Sequence, residues 1–403
     1  MSHQPPAGAR DLLPLEVVQK RWIADRLQQV FHRWGYRRIV TSTLESMETL
    51  MAGGAIQRST VLQLEDSSEG TLGLRPELTA SIARAAVTRM ADEGFPQRLY
   101  YNANVFRRQP EARGQQIEFY QSGVELLFAG GVLADAEILL LLAECLQNLG
   151  LQDWHLILGE AELTRSLLGT FPIAVQGKIR YCLANLDRIA LEKLPLSAEL
   201  RDRALMLFDL RGEPMAVLQK VASLGLDPAG QEIVSKLKSA IDLLQNGSAV
   251  PISVTLDLSL IQTLDYYTGI VFEVINTENR RILGNGGRYD RLLGLYNPRG
   301  ESSPGIGFAL NLEDLHACLL SSPELPQQPP RIDWLVIPEV PQAATAAFAY
   351  AQKLRRDSER LVRVELDLGG REPEAIRSYA RACQIGCLAW VKGDGTPVIE
   401  ALN

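Results

Sequence analysis

Two alternating runs, "RLYYNANVFRR" (residues 98–108) and "QIEFYQSGVELL" (116–127), flank a polar loop, "RQPEARGQ". Strand-length runs joined in this way are predicted to pair as a long antiparallel hairpin. The hairpin needs further strands or covering helices to bury its apolar side. The rest of the chain has to supply them.

Helical spacing of Leu15, Val18, Trp22, Ile23, Leu27, Val30, Phe31 and Trp34 predicts a long amphipathic helix, with Pro14 in its first turn and Gly35 ending it. An extended segment, "YRRIVTSTLE", follows it. "TLGLRPELTASIARAAVTRM" reads as a strand that turns at Pro76 into a helix starting near Glu77. "LADAEILLLLAECLQNLG" reads as a helix with Asp135 and Glu137 in its first turn. Over residues 172–250 strand patterns vanish, and Pro195, Pro214 and Pro228 punctuate several short helices of a helical insertion. Strand-and-turn patterns return in "AVPISVTLDL", "LIQTLDYYTGIVFE", "GNGGRYDRLL" and "GIGFALNLEDL". The expected class is α+β: a core over residues 1–320, a Pro-rich linker over 321–331, and a small α/β domain over 332–403 in which strands and helices alternate.

With 41 Lys+Arg against 48 Asp+Glu, the net charge of −7 gives no electrostatic reason to expect avid binding to nucleic acid or a membrane, although a local basic groove can hide in an acidic total. No apolar run approaches the ~20 residues that span a bilayer. The opening residues lack a secretory pattern, so a cytoplasmic protein is expected. Five scattered cysteines suit a reducing compartment. Cys383 and Cys387, spaced i, i+4 with no histidine nearby, are expected to be small buried apolar groups. Neither a metal nor a cofactor is expected.

The polar triplet Asp265, Tyr266 and Tyr267 interrupts an apolar segment. It is either a satisfied part of the core or the wall of a pocket. A buried amino acid zwitterion needs acceptors for its ammonium, a cation or donors for its carboxylate, and matched groups for its side chain. Glu77, Thr79 and Gln121 supply acceptors. Glu125 with Tyr266 or Tyr267 suits the two nitrogens of an imidazole, and Arg107 suits a carboxylate or phosphate. Tyr289 in "GGRYD" is a further candidate. Singly, each has a structural alternative: Glu77 as a helix N-terminal acid, Gln121 and Glu125 as exposed strand residues, the tyrosines as core, and the glycines of "GNGGRYD" as a tight turn or close packing.

The order of long helix, "LRPELTA", "FRRQPEARGQQIEFYQSGVEL", helical insertion, "LDYYTGIVFE", "GGRYDRLL" and "GIGFALNLE" closely resembles the histidyl-tRNA synthetase family over nearly the whole chain. The resemblance implies a class II aminoacyl-tRNA synthetase-like antiparallel sheet flanked by helices, a self-dimer, and a C-terminal anticodon-binding-like α/β domain. It also implies that Glu77, Thr79, Arg107, Gln121, Glu125, Tyr266, Tyr267 and Tyr289 form a histidine site.

The departures from that family lie on the nucleotide side. Gln262 and Thr263 stand where the family has an arginine before "GLDYYT", and Gln109, Pro110, Gln115 and Ile117 replace hairpin-loop residues of the pattern "FRxERPQxGRxRxF". Asp314 replaces the arginine of "GLER". A carboxylate there would repel a phosphate by about 4 kcal/mol at ~4 Å and an effective dielectric of ~20. The tail is expected to stop soon after its third strand. This pattern resembles a regulatory branch of the family, whose members catalyse nothing and pair with a short-form ATP phosphoribosyltransferase catalytic subunit, with histidine as effector. The rivals are a divergent working synthetase and a stand-alone amino-acid-binding module.

Overall fold

The computed structural model describes residues 5–402 except 55, 67–69, 109–115, 261–266, 357–358 and 370. The chain divides into two compact units, Met1–Leu325 and Pro326–Asn403.

Strands of the first unit are β1 (Arg37–Arg38), β2 (Leu44–Ser46), β3 (Gln63–Asp66), β4 (Gly70–Leu74), β5 (Gln97–Phe106), β6 (Glu118–Leu127), β7 (Trp154–Glu160), β8 (Arg211–Gly212), β9 (Val254–Asp257), β10 (Ile270–Asn276), β11 (Ile282–Arg288) and β12 (Gly305–Asn311). Nine of them form one sheet in the order β1-β5-β6-β12-β11-β10-β7-β9-β8, and β2, β4 and β3 form a small separate one. The large sheet is antiparallel except for the pairs β1–β5 and β7–β9. The expected hairpin is β5 and β6, in register from Gln97 opposite Leu127 to Phe106 opposite Glu118.

Period-2 alternation sends the two faces of this hairpin into different cores. Tyr100, Val124 and Leu126 join a large core with the long helix Pro14–Arg33 and the helix Val132–Asn148. Leu99, Tyr101, Val105 and Leu127 join a second core with the helices Thr79–Thr88 and Leu292–Tyr296. In the long helix Ile23, Leu27, Val30 and Phe31 are fully buried, each contributing about 2 kcal/mol of apolar burial. Gly35 ends it in the left-handed region at φ 79°, and the Tyr36 N–H closes back on the Phe31 carbonyl at 2.9 Å.

The insertion is helical, with two differences from expectation. Its last helix, Pro228–Gly247, is long because Pro228 sits at its first position and the Asp227 carboxylate accepts from the Gly230 N–H at 2.8 Å. The two residues of β8 pair with β9 and so tie the insertion to the main sheet.

The second unit is a sheet in the order β14-β13-β15-β16, built from β13 (Trp334–Pro338), β14 (Val364–Leu366), β15 (Cys387–Val391) and β16 (Pro397–Ala401). The first three are parallel and β16 is antiparallel. This fourth strand extends the tail beyond the three strands expected. Cys383, at the end of the helix Pro373–Ala382, is exposed and Cys387 is half-buried, so the expectation that both are buried fails. Among the described residues no helix is long and apolar enough to cross a membrane.

Candidate functional site

The pocket lies on the second-core face of the large sheet. Gln121, Gly123 and Glu125 share one face of β6, and the register sets them opposite Asn311, Ala309 and Gly307 of β12. Gly307 leaves the space that the Glu125 carboxylate occupies: a Cβ there would collide with Glu125 and with the Val124 carbonyl. A Cβ on Gly287 would come within 2.7 Å of the Tyr267 ring. The glycines of "GNGGRYD" lie within β11 and serve close packing and not a turn, and one of them, Gly286, also lines the cavity.

Glu77, Thr79, Arg107, Gln121, Tyr267 and Tyr289 line a single cavity of about 60 Å³. Glu125, expected in the site, does not line the cavity: at 1 % exposure it is buried behind the wall, bonded to the lining residues Thr79 and Tyr289. One carboxylate oxygen accepts from the Thr79 hydroxyl at 2.8 Å and the other from the Tyr289 phenol. Burial pushes the Glu125 carboxyl up to about 8, against the lowering effect of these two donors. Of the two phenols expected to share an imidazole with Glu125, Tyr267 lines the cavity and Tyr266 lies outside the described residues; the Tyr289 phenol is bonded to Glu125 itself. Gln121 and Glu125 are buried, which removes the reading of both as exposed strand residues.

Glu77 fills two roles. It lines the cavity, and its carboxylate accepts from the Ala80 N–H at 3.0 Å in the first turn of the helix Thr79–Thr88. Burial also raises its pKa, with the helix N–H groups, Thr79 and Arg107 opposing. Gln121 donates its amide N–H to Asn311 at 3.0 Å, which leaves its carbonyl oxygen as an acceptor. Arg107 lies over the Phe119 ring at 5.5 Å and is the one cation among the described lining residues.

Tyr101, Asn285 and Phe308 also line the cavity and were missed in the sequence. Burial holds the Tyr101 phenol well above its ordinary pKa, reinforced by Glu125 and Glu77, so it stays a neutral donor. The readable sign was the period-2 run of small residues Gly305, Gly307 and Ala309 in "GIGFALN". It marks a strand face cleared for something other than its own side chains.

Asp314 does not line the cavity. It occupies the first turn of the helix Leu312–Leu319 and pairs with Arg281 at 3.0 Å, so its charge is already compensated and the expected 4 kcal/mol repulsion is an overestimate. Gln109, Pro110, Gln115, Gln262 and Thr263 lie outside the described residues. Among the described residues no His, Cys, Asp and Glu side chains cluster as a metal site.

This geometry is that of a known class. Residues 8–315 match the family model "Histidyl-tRNA synthetase". The fold is shared with the crystal structure of an ATP phosphoribosyltransferase regulatory subunit/histidyl-tRNA synthetase from Bacillus halodurans, at TM-score 0.83 and 27% identity over 98% of this chain and 99% of that one. It is shared too with histidyl-tRNA synthetase from Nostoc sp. PCC 7120, at TM-score 0.79 and 21% identity over 100% and 97%. At higher identity stand two proteins named ATP phosphoribosyltransferase regulatory subunit. That of Gloeothece citriformis is 64% identical and that of Nostoc sp. PCC 7120 is 63% identical, each over the full length of both chains. The chain belongs to the histidyl-tRNA synthetase family, in its branch of ATP phosphoribosyltransferase regulatory subunits.

Proposed function

We propose that the chain is the non-catalytic regulatory subunit of ATP phosphoribosyltransferase. It supports a short-form catalytic subunit at the first step of L-histidine biosynthesis, and histidine in the pocket inhibits the complex. The observation that carries this reading is the 64% identity to a regulatory subunit over both full chains. One strain, Nostoc sp. PCC 7120, has both a regulatory subunit 63% identical to this chain and a histidyl-tRNA synthetase 21% identical to it. That division of labour supports a role for this chain other than tRNA charging.

The pocket supports histidine as the effector. Glu125 receives an imidazole N–H, the acceptors of Glu77 and Gln121 receive the ammonium, Arg107 meets the carboxylate, and Tyr267 completes the wall. A triphosphate needs several cations. Arg107 is the one cation among the described lining residues, and Gln262, Thr263, Gln109, Pro110, Gln115 and Ile117 stand where the synthetase pattern is more basic or polar. We read this as loss of ATP activation. The cavity is far smaller than the ~300–1,000 Å³ of ordinary ligand pockets, so an amino acid enters by displacing its walls. Such opening gives the ligand unequal affinity for two conformations, which inhibition at a distance requires. Self-association through the synthetase-like core belongs to the same reading.

The test is co-expression with a short phosphoribosyltransferase subunit, followed by histidine titration of the purified complex and an ATP–pyrophosphate exchange assay on the chain alone. A stable complex inhibited by histidine, with no exchange, is expected. Exchange would favour the divergent synthetase, and failure to bind the catalytic subunit would favour the stand-alone module.

A further inference from the structure

The second unit contains a larger cavity, about 1,170 Å³, at the carboxyl ends of its parallel strands. The chain runs from β13 to β14 on one side and then crosses back to β15 on the other, so the cavity lies where the strand order reverses. In open α/β sheets this crevice is where ligands bind.

Its polar centre is Asp367, which immediately follows β14 and has a side chain only 4 % exposed. Oδ2 accepts from the Gly369 N–H at 3.1 Å. Oδ1 is buried and accepts no hydrogen bond among the described residues. Arg371 stands 3.8 Å from it, beyond hydrogen-bond reach, with its guanidinium stacked on the Tyr379 ring at 4.1 Å. A buried carboxylate oxygen without a donor costs about 1–3 kcal/mol, which a ligand N–H would recover.

The charges around it are mixed, with Arg371, Arg377 and the exposed Lys392 lining the cavity beside Glu339, Glu372 and Glu400. The helix Pro373–Ala382 opens at the cavity, but Glu372 is its N-cap and Glu374 lies in its first turn, so acidic groups already fill the positive end of its dipole. Arg377 is held by Glu400 at 2.8 Å. Phe348, Leu368 and Val398 line the same cavity and are exposed, Leu368 at 89 %, which is an apolar surface with nothing against it.

We propose that this cavity binds a small organic cation, its protonated nitrogen donating to Asp367 Oδ1 and its apolar body lying against Phe348, Leu368 and Val398. The cavity is lined by residues of the second unit alone.

Calorimetric titration of the full chain with benzamidine tests it, with benzoate and adenosine monophosphate as anionic probes. Benzamidine is expected to saturate with a Kd of about 1 mM, the affinity that so few non-hydrogen atoms support. Asp367→Asn, which keeps the shape and removes the charge, is expected to weaken it ~10-fold or more. Arg371→Ala, which removes the competing cation, is expected to tighten it and decides the matter if Asp367→Asn fails to fold. Glu125→Gln is expected to leave it unchanged. No saturation, tighter binding of either anion, an unchanged affinity in a folded Asp367→Asn variant, a weaker affinity in Arg371→Ala, or loss of binding in Glu125→Gln would each overturn the proposal.

Discussion

Glu125 is a buried acid whose pKa is raised from 4.5 to about 8, so the folded chain holds its proton more tightly than the unfolded chain does. Its contribution to stability is fully present below about pH 4.5 and is lost as pH rises through about 8. Between pH 6 and pH 9 the unfolded residue is ionised throughout, while the folded residue gives up its proton. The two pH units from 6 to 8, at about 1.36 kcal/mol each, amount to about 3 kcal/mol. Glu125→Gln cannot titrate. Urea unfolding of the wild type and this variant at both pH values should therefore show the wild type losing about 3 kcal/mol more than the variant. Comparing the two proteins cancels shared groups such as Glu160, which burial raises to about 7. With saturating histidine the difference should shrink, because an imidazole N–H donated to Glu125 favours the ionised form. A wild-type-minus-variant difference that stays within ~1 kcal/mol across the two pH values would refute the account of a desolvated acid.

Tyr289→Phe removes one of the two hydroxyls bonded to Glu125; with that carboxyl protonated below about pH 8 the bond is worth about 0.5–1.5 kcal/mol, so histidine affinity by calorimetry at pH 7 should fall by roughly 2- to 10-fold. Arg288→Met leaves Asp135 buried without its cation, to which the Arg288 Nε donates at 2.8 Å. Chemical denaturation should show a loss of about 3–5 kcal/mol, much of it recovered by adding Asp135→Leu. Gly307→Ala drives a Cβ into Glu125 and the Val124 carbonyl, and should cost about 1–3 kcal/mol in thermal unfolding and abolish histidine binding. Gly94→Ala, where the added Cβ meets nothing, should leave stability unchanged within ~0.5 kcal/mol.

The hairpin β5–β6 and the helix Pro14–Arg33 were legible because each carries its own period, and burial follows that period. The parallel pairs β1–β5 and β7–β9 were not, because pairing between remote segments leaves no local signal. The two-residue strand β8 is too short for an alternation to exist. At the site, the chemistry of Glu77, Thr79, Arg107, Gln121 and Tyr289 was readable as residue types in order. The environment of Glu125 was not: a glutamate in an alternating strand reads as solvent-facing until Gly307, far along the chain, is set opposite it. In the sequence Tyr289 stands only as a further candidate, because the approach of its phenol to Glu125 is a product of tertiary packing.

Where β6, β11 and β12 meet, Gly123, Gly287, Gly305 and Gly307 leave the room that the side chains of Tyr101, Tyr267, Tyr289 and Glu125 fill, and an added methyl at any of them would strike its occupant. The sheet is thus hollowed to seat these four, while the chemical character of the site resides in the side chains themselves. Those can be exchanged one at a time without filling the bowl. A scaffold of this kind can surrender a reaction and still hold the small molecule the reaction once consumed.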